Sequence, residues 1–319
     1  MNSSGTASST APSSANSIEI VEVGPRDGLQ SESQVLPTAV KVQFVQRLLA
    51  AGLKRIEVAS FVNPKRVPQM ADAEAMLTAL AGEAPHARFI GLILNRKGFE
   101  RARAAVCTEV GMAIAASESF SQRNQGLSID EAVESWLEVA KLAHAAGIRA
   151  QITVSVAFGC PFEGEVPVGR VRELAERLAA GEPDEIAVAD TIGVAVPTQV
   201  TEMLGELRKA LPRTRLRAHF HNTRNTGLAN AYAAVEAGVL ALDSSCGGIG
   251  GCPFAPAATG NIPTEDLIYM LHRMGIATGV DLPALIDTSK WLQTTLAHVV
   301  PGMLMKAGIF PASIRRTEN

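Results

Sequence analysis

Ile18 to Gly28 reads IEIVEVGPRDG, a β-branched run that stops at Gly24 and Pro25 and places Arg26 and Asp27 directly beyond the stop. A strand that opens a dinucleotide-binding sheet runs into a glycine fingerprint, GxGxxG, whose backbone cradles a pyrophosphate. This one runs into GPRDG, and the later cluster GGIGGCP at 247–253 lacks the third glycine. A doubly wound nucleotide fold is therefore set aside.

Outward from this point the same alternation of strand and amphipathic helix recurs without a linker. Strands are expected at Ile18 to Val23, Arg55 to Phe61, Arg88 to Leu94, Glu109 to Ala116, Arg149 to Phe158, Glu185 to Ala189, Arg215 to His221 and Ala241 to Ser245. Helices are expected between them. Thr38 to Ala51 has apolar Val42, Val45, Leu48 and Leu49 on one face, and Ile129 to Ala146 opens with Ser128 and Glu131 in capping-box spacing. Eight such units in ~265 residues match the (β/α)8 TIM barrel in count and length. The barrel is expected over 18–281, after a Ser/Ala/Thr-rich disordered tail over 1–17 and before a helical extension over 282–319 that packs on the barrel. Gly52, Gly147, Gly181 and Gly238 are expected as left-handed helix ends.

The chain has 319 residues, 47% of them hydrophobic, with a net charge of −3. It lacks the basic surplus that non-specific phosphate binding requires, so no nucleic-acid partner is expected. The four cysteines, Cys107, Cys160, Cys246 and Cys252, form no CxxC pair, which points to a reduced compartment. The first residues carry neither the charge nor the apolar run of a targeting signal, and no stretch reaches the ~20 apolar residues of a membrane span. A cytoplasmic protein is expected.

In such barrels the βα loops converge on the C-terminal end of the strands, where catalytic groups gather. Here strand one ends in Arg26 and Asp27, strand two carries Glu57 and Ser60, strand six ends in Asp190, strand seven in His219 and His221, and strand eight runs into Cys246 and the glycine loop. Residues i and i+2 of a strand share a face, so His219 and His221 lie side by side. An isolated HxH reads equally well as a buried, hydrogen-bonded histidine. The strand position and Asp27 turn the reading towards a divalent cation, Mg²⁺ or Mn²⁺ before zinc, since no thiolate stands with them. Arg26 is placed to stabilise an oxyanion, and the loop at 247–251 to close over a substrate and present Cys252.

Five segments together carry a resemblance: VEVGPRDGLQSE at 21–32, RIEVASFVNPKRVPQMAD at 55–72, ADTIGVAVP at 189–197, HFHNT at 219–223 and GGIGGCPFAPAATGNIPTEDLIYML at 247–271. The chain resembles the 3-hydroxy-3-methylglutaryl-CoA lyases of the DRE-TIM metallolyase superfamily over nearly everything beyond the tail. The resemblance implies a divalent metal on Asp27, His219, His221 and Asn261, with Arg26 and Cys252 catalytic. Glu57 and Asp190 are implied as supporting acids in the catalytic set, and Arg26, Gln30 and Ser60 as substrate contacts. The implied reaction is a retro-Claisen cleavage of an acyl-CoA, with a homodimer as the expected assembly.

The chain departs from the family pattern at Asn222, where an aspartate is usual and where the condensing synthases place asparagine, and at Ser33, where a lysine is common. The competing readings are a lyase for another tertiary 3-hydroxyacyl-CoA such as citramalyl-CoA, an acetyl-CoA-dependent condensing synthase, and a barrel that binds metal and thioester without turnover.

Overall fold

Strand β1 (Glu19–Glu22) pairs in parallel with β2 (Arg55–Ser60) on one side and with β8 (Ala241–Ser244) on the other, and that second pairing closes the sheet. Between them run β3 (Arg88–Ile93), β4 (Glu109–Ala115), β5 (Arg149–Ser155), β6 (Glu185–Asp190) and β7 (Leu216–Phe220), each beside its neighbour in sequence, so the strands form a closed eight-membered barrel. A computed structural model describes residues 17–82, 85–251 and 260–310 of the chain. Among these residues no helix is long and apolar enough to cross a membrane.

The outer ring is made by α1 (Thr38–Ala50), α2 (Ala73–Leu80), α3 (Arg96–Ala104), α4 (Glu118–Gln125), α5 (Ile129–Ala145), α6 (Val168–Ala179), α7 (Pro197–Ala210) and α8 (Gly227–Glu236). Each turns an apolar stripe inward, as α1 does with Phe44, Val45 and Leu48, all fully buried. The capping box of α5 forms as its spacing indicates: Ser128 Oγ accepts from the Glu131 amide, and the Glu131 carboxylate accepts from the Ser128 amide. Three of the four expected glycine helix ends have positive φ, but Gly181 does not, and Glu182 at φ 50° takes the left-handed place instead. Gly181 is small for another reason, because a Cβ there would lie 2.7 Å from Trp136 Nε1, which donates to the Leu178 carbonyl.

Beyond the barrel, α9 (Thr264–Arg273), α10 (Leu282–Leu296) and the single turn α11 (Leu304–Ala307) complete the described chain. Helix α10 lies against the outer ring, where its Trp291 meets Phe44 of α1 with ring centroids 6.0 Å apart. Helix α10 ends earlier than the expected Val300, because Ala297 turns left-handed at φ 57°. The expected tail, apart from Ser17, and the last nine residues of the expected extension lie outside the described residues.

The barrel interior is polar over much of its height. At the N-terminal end Arg55 of β2 pairs with Glu19, Glu109 and Glu185 of three other strands. One layer up, Arg217 of β7 pairs with Glu185 at 3.0 Å and with Asp243 of β8 at 2.9 Å, and also donates to Gln151 of β5. Buried charges are costly unless each is paired and hydrogen-bonded. Here they interlock across six strands, and Asp243 carries the chain of pairs up to the mouth.

Candidate active site

Directly after β1 the backbone winds into one π-helical turn, Gly24–Gly28, in which the Val23 carbonyl accepts from the amides of Arg26, Asp27 and Gly28. Such turns are uncommon and gather at functional sites. Arg26 is held between two carboxylates, 2.6 Å from Asp27 and 2.6 Å from Glu57. Glu57 reaches it across a register shift in β2, where the pairing with β3 skips from Glu57 to Ala59.

The oxygens and ring nitrogens that Asp27, His219 and His221 offer all lie within 4.8 Å of one another. The two imidazole centroids are 5.1 Å apart, as expected of i and i+2 neighbours leaving one strand. His219 Nδ1 stands 3.1 Å from Asp243 Oδ2, which leaves Nε2 as its open nitrogen. Asn261 joins the group through backbone pairing with His221, and its Nδ2 donates to Asp27 Oδ2 at 2.9 Å and to the Ile249 carbonyl at 3.1 Å.

Electrostatics prepare these groups as ligands. Burial alone pushes the Asp27 carboxyl up, but Arg26, the two imidazoles and the Asn261 amide outweigh it and bring it down to about 2. Burial, with His219 nearby, lowers His221 to about 4, so its imidazole is neutral near pH 7. His219 moves the other way, since the hydrogen bond and charge of Asp243 outweigh the effect of burial. His221 Nδ1 and Asn261 Oδ1 are buried and have no partner among the described residues. One imidazole neutral near pH 7, a second with Nε2 turned away from its Asp243 partner, a fixed carboxylate and an unclaimed amide oxygen fit a divalent cation of the harder kind.

The other expected residues fall in different places. Ser60 ends β2 buried, its hydroxyl without a partner among the described residues, and Gln30 is half-buried just beyond the π-helical turn. Asp190 faces away from any ligand role: its Oδ1 accepts from the Val194 amide at 2.9 Å and its Oδ2 from the Ala195 amide at 3.0 Å, so it pins the loop between β6 and α7. Asn222 is similarly occupied, accepting from the Gly227 amide at the start of α8 at 3.0 Å. Asn222, which departs from the expected aspartate, thus braces the loop that leads into α8. Cys252 lies outside the described residues.

The glycine loop reaches the site as expected. Gly250 has φ 116°, and a Cβ there would lie 3.3 Å from the Asp27 carbonyl and 2.5 Å from Asn261 Nδ2, so only glycine allows this approach. Sequence reasoning missed Asp243 and Glu22. Asp243 carries a signal, since the strand-end rule that selects His219 applies to ALDSS at 241–245 equally. Glu22 also ends a strand, but two of its three partners come from segments more than 220 residues away, so nothing local marks what it joins.

Against known proteins, the family profile described as HMGL-like matches residues 17–292. The (R)-citramalyl-CoA lyase of Chloroflexus aurantiacus is 42% identical over 304 residues, covering 92% of this chain and 96% of that protein. The hydroxymethylglutaryl-CoA lyase of Pseudomonas mevalonii is 43% identical over 267 residues, covering 84% and 88%. A solved HMG-CoA lyase from Acinetobacter baumannii, in complex with coenzyme A and 3-methylmalate, superimposes with a TM-score of 0.90 at 37% identity, covering 95% of this chain and 98% of that one.

Proposed function

The chain belongs to the HMGL-like family and is a carbon–carbon lyase, and from that premise we propose that it cleaves 3-hydroxy-3-methylglutaryl-CoA to acetyl-CoA and acetoacetate with a bound Mg²⁺ or Mn²⁺. The observation that carries the reading is the convergence of Asp27, His219 and His221 at the barrel mouth, with Arg26 bonded to Asp27 beside them. Asp27, His219, His221 and Asn261 would hold the ion. When bound, the ion supplies Lewis-acid polarisation of the substrate's C3 oxygen and offsets developing negative charge.

The protein's own groups supply the rest. With Asp27 as the one carboxylate among the ligands, the loaded centre keeps a charge of about +1, which suits the free carboxylate at the far end of the substrate. Loss of the C3 hydroxyl proton to a base sends the electrons of the C2–C3 bond onto the thioester, giving the enolate of acetyl-CoA, while C3 becomes the ketone of acetoacetate. Arg26, fixed in place by Asp27 and Glu57, donates to the developing oxyanion; a rigid donor of this kind costs no reorganisation as charge appears. A proton then returns to C2. Cys252, placed by the sequence beyond the glycine loop, is the donor in this reading. Gln30 and Ser60 contact the substrate.

A second reading, citramalyl-CoA as substrate with pyruvate as the ketone product, is favoured by the match to the Chloroflexus aurantiacus enzyme over nearly its whole length. Incubation of the Mg²⁺-loaded protein with each thioester, with products identified by mass, decides between them. A higher kcat/KM for citramalyl-CoA would overturn the first assignment and leave the lyase chemistry standing.

A further inference from the structure

Three buried acceptor groups hold the base of the glycine loop, and one of them, which has no part in the chemistry above, also reaches the turn that carries Arg26. Glu22, the last residue of β1, is completely buried. Its Oε1 accepts from the Gly24 amide at 2.8 Å and from the Cys246 amide at 2.9 Å, and its Oε2 from the Thr264 hydroxyl at 2.6 Å. A single carboxylate oxygen thus bridges two backbone amides 222 residues apart in sequence, one opening the arginine turn and the other opening the glycine loop. Gly24 makes this possible, because a Cβ on it would lie 2.5 Å from Glu22 Oε1.

The second group is Glu265, whose Oε2 accepts from the Gly247 amide at 3.0 Å, one residue further along the loop. The Gly247 carbonyl in turn accepts from Gly302 at 2.9 Å, so the segment after α10 lies against the same loop. The third is the Ile249 carbonyl, bonded to Asn261. Successive loop residues are therefore fixed by a β1 carboxylate, an α9 carboxylate and a metal-site amide, although the loop's glycines leave its backbone little preference of its own.

We propose that Glu22 is a positioning residue, which holds the Arg26 turn and the glycine loop in register so that the oxyanion donor and the loop residues act on one substrate. It touches no reacting atom and acts through the two amides it accepts from. What matters is the reach of its acceptor oxygen. Gln keeps the reach and loses the charge, whereas Asp keeps the charge and is one methylene too short to span both amides.

The test compares Glu22→Asp and Glu22→Gln in the Mg²⁺-loaded full chain, reading kcat, KM and backbone amide hydrogen exchange. Glu22→Asp is expected to lower kcat about tenfold or more with KM within about threefold, and to speed exchange over 245–251 about tenfold, leaving β4 and β5 unchanged. Glu22→Gln is expected to restore both to within about threefold of the parent protein. Where Glu22→Asp does not yield folded protein, Thr264→Val frees the second oxygen alone and is expected to speed exchange over 245–251 about threefold. Exchange over 245–251 that stays unchanged, or that rises equally across β4 and β5, would overturn the proposal, as would a Gln variant as impaired as the Asp one. The proposal rests on the lyase reading only for its kinetic arm: a parent protein that cleaves neither thioester would sink that reading, and the exchange arm would still decide this one.

Discussion

His219 Nδ1 and Asp243 Oδ2 stand 3.1 Å apart across the β7–β8 pair, and the other oxygen of Asp243 takes a 2.9 Å bond from Arg217. With Arg217 donating to one oxygen of Asp243 and His219 Nδ1 facing the other, Nε2 is the His219 nitrogen that would join Asp27 and His221 in holding an ion. A carboxylate behind a ligating imidazole fixes its ring and raises its basicity. Asp243→Asn is therefore expected to weaken Mg²⁺ binding roughly tenfold with the fold intact, measured by titration calorimetry. Unchanged affinity would show that the pair serves only the barrel interior.

Chelation, or loss of the proposed ligands, gives the broadest check on the proposed metal site. Turnover is expected to vanish after exhaustive chelation and to return with Mg²⁺ or Mn²⁺, and Asp27→Ala or His219→Ala should each abolish it. Full activity in the chelated protein would remove the metal from the reaction.

Arg26 is clamped by two carboxylates 2.6 Å away, so its donors are preset rather than gathered during the reaction. Arg26→Gln is expected to lower kcat by about 10²-fold or more while Mg²⁺ affinity stays close to that of the parent, the pattern of a group that stabilises the transition state alone. A change confined to KM would make Arg26 a substrate-binding residue.

Cys252 is tested against its buried counterparts. Cys107 donates to backbone carbonyls in the barrel wall and Cys160 accepts from Ser117, so both are packing residues. Cys252→Ala is expected to cripple turnover while Cys107→Ala and Cys160→Ala retain it; equal losses from Cys107→Ala would count against a catalytic thiol.

The fold was legible because its signal is local and repeated: β-branched runs broken by glycine or proline mark each strand, and all eight starts fall within one residue of their expected places. Strand ends were less legible. Strand β5 stops at Ser155 rather than Phe158, because Val156 turns to φ 49° and gives its amide to Thr191 of the neighbouring βα loop, a contact that no local pattern encodes. The site follows the same division. Arg26, Asp27, Glu57, His219 and His221 could be found because polar residues in or just beyond a β-branched run are conspicuous whichever residue ends the strand. Whether an acid faces the ligands or the backbone depends on loop amides folding back, which is why Asp190 and Asn222 looked like neighbours of the centre and prove to brace its loops.

Glu22 and Glu265 give the pH dependence of stability a recognisable component. Burial is the main cause that moves each carboxyl from an ordinary 4.5 to about 7, against the hydrogen bonds that pull it down. The folded state then binds the proton more tightly than the unfolded chain, so each group's contribution is full below the unfolded value and is lost as pH rises through the folded one. His221, lowered from 6.5 to about 4, works in the opposite sense over an overlapping range, its contribution being lost as pH falls, and would mask the trend in the parent protein alone. Taking the difference between the parent and Glu22→Gln cancels His221, which is common to both. Urea midpoints are expected to show the Gln variant gaining on the parent between about pH 5 and about pH 8, by up to roughly 3 kcal/mol at the upper end. A difference that stays flat with pH would mean that the three donors around Glu22 fully offset its burial, and that its carboxylate costs the fold nothing near neutrality.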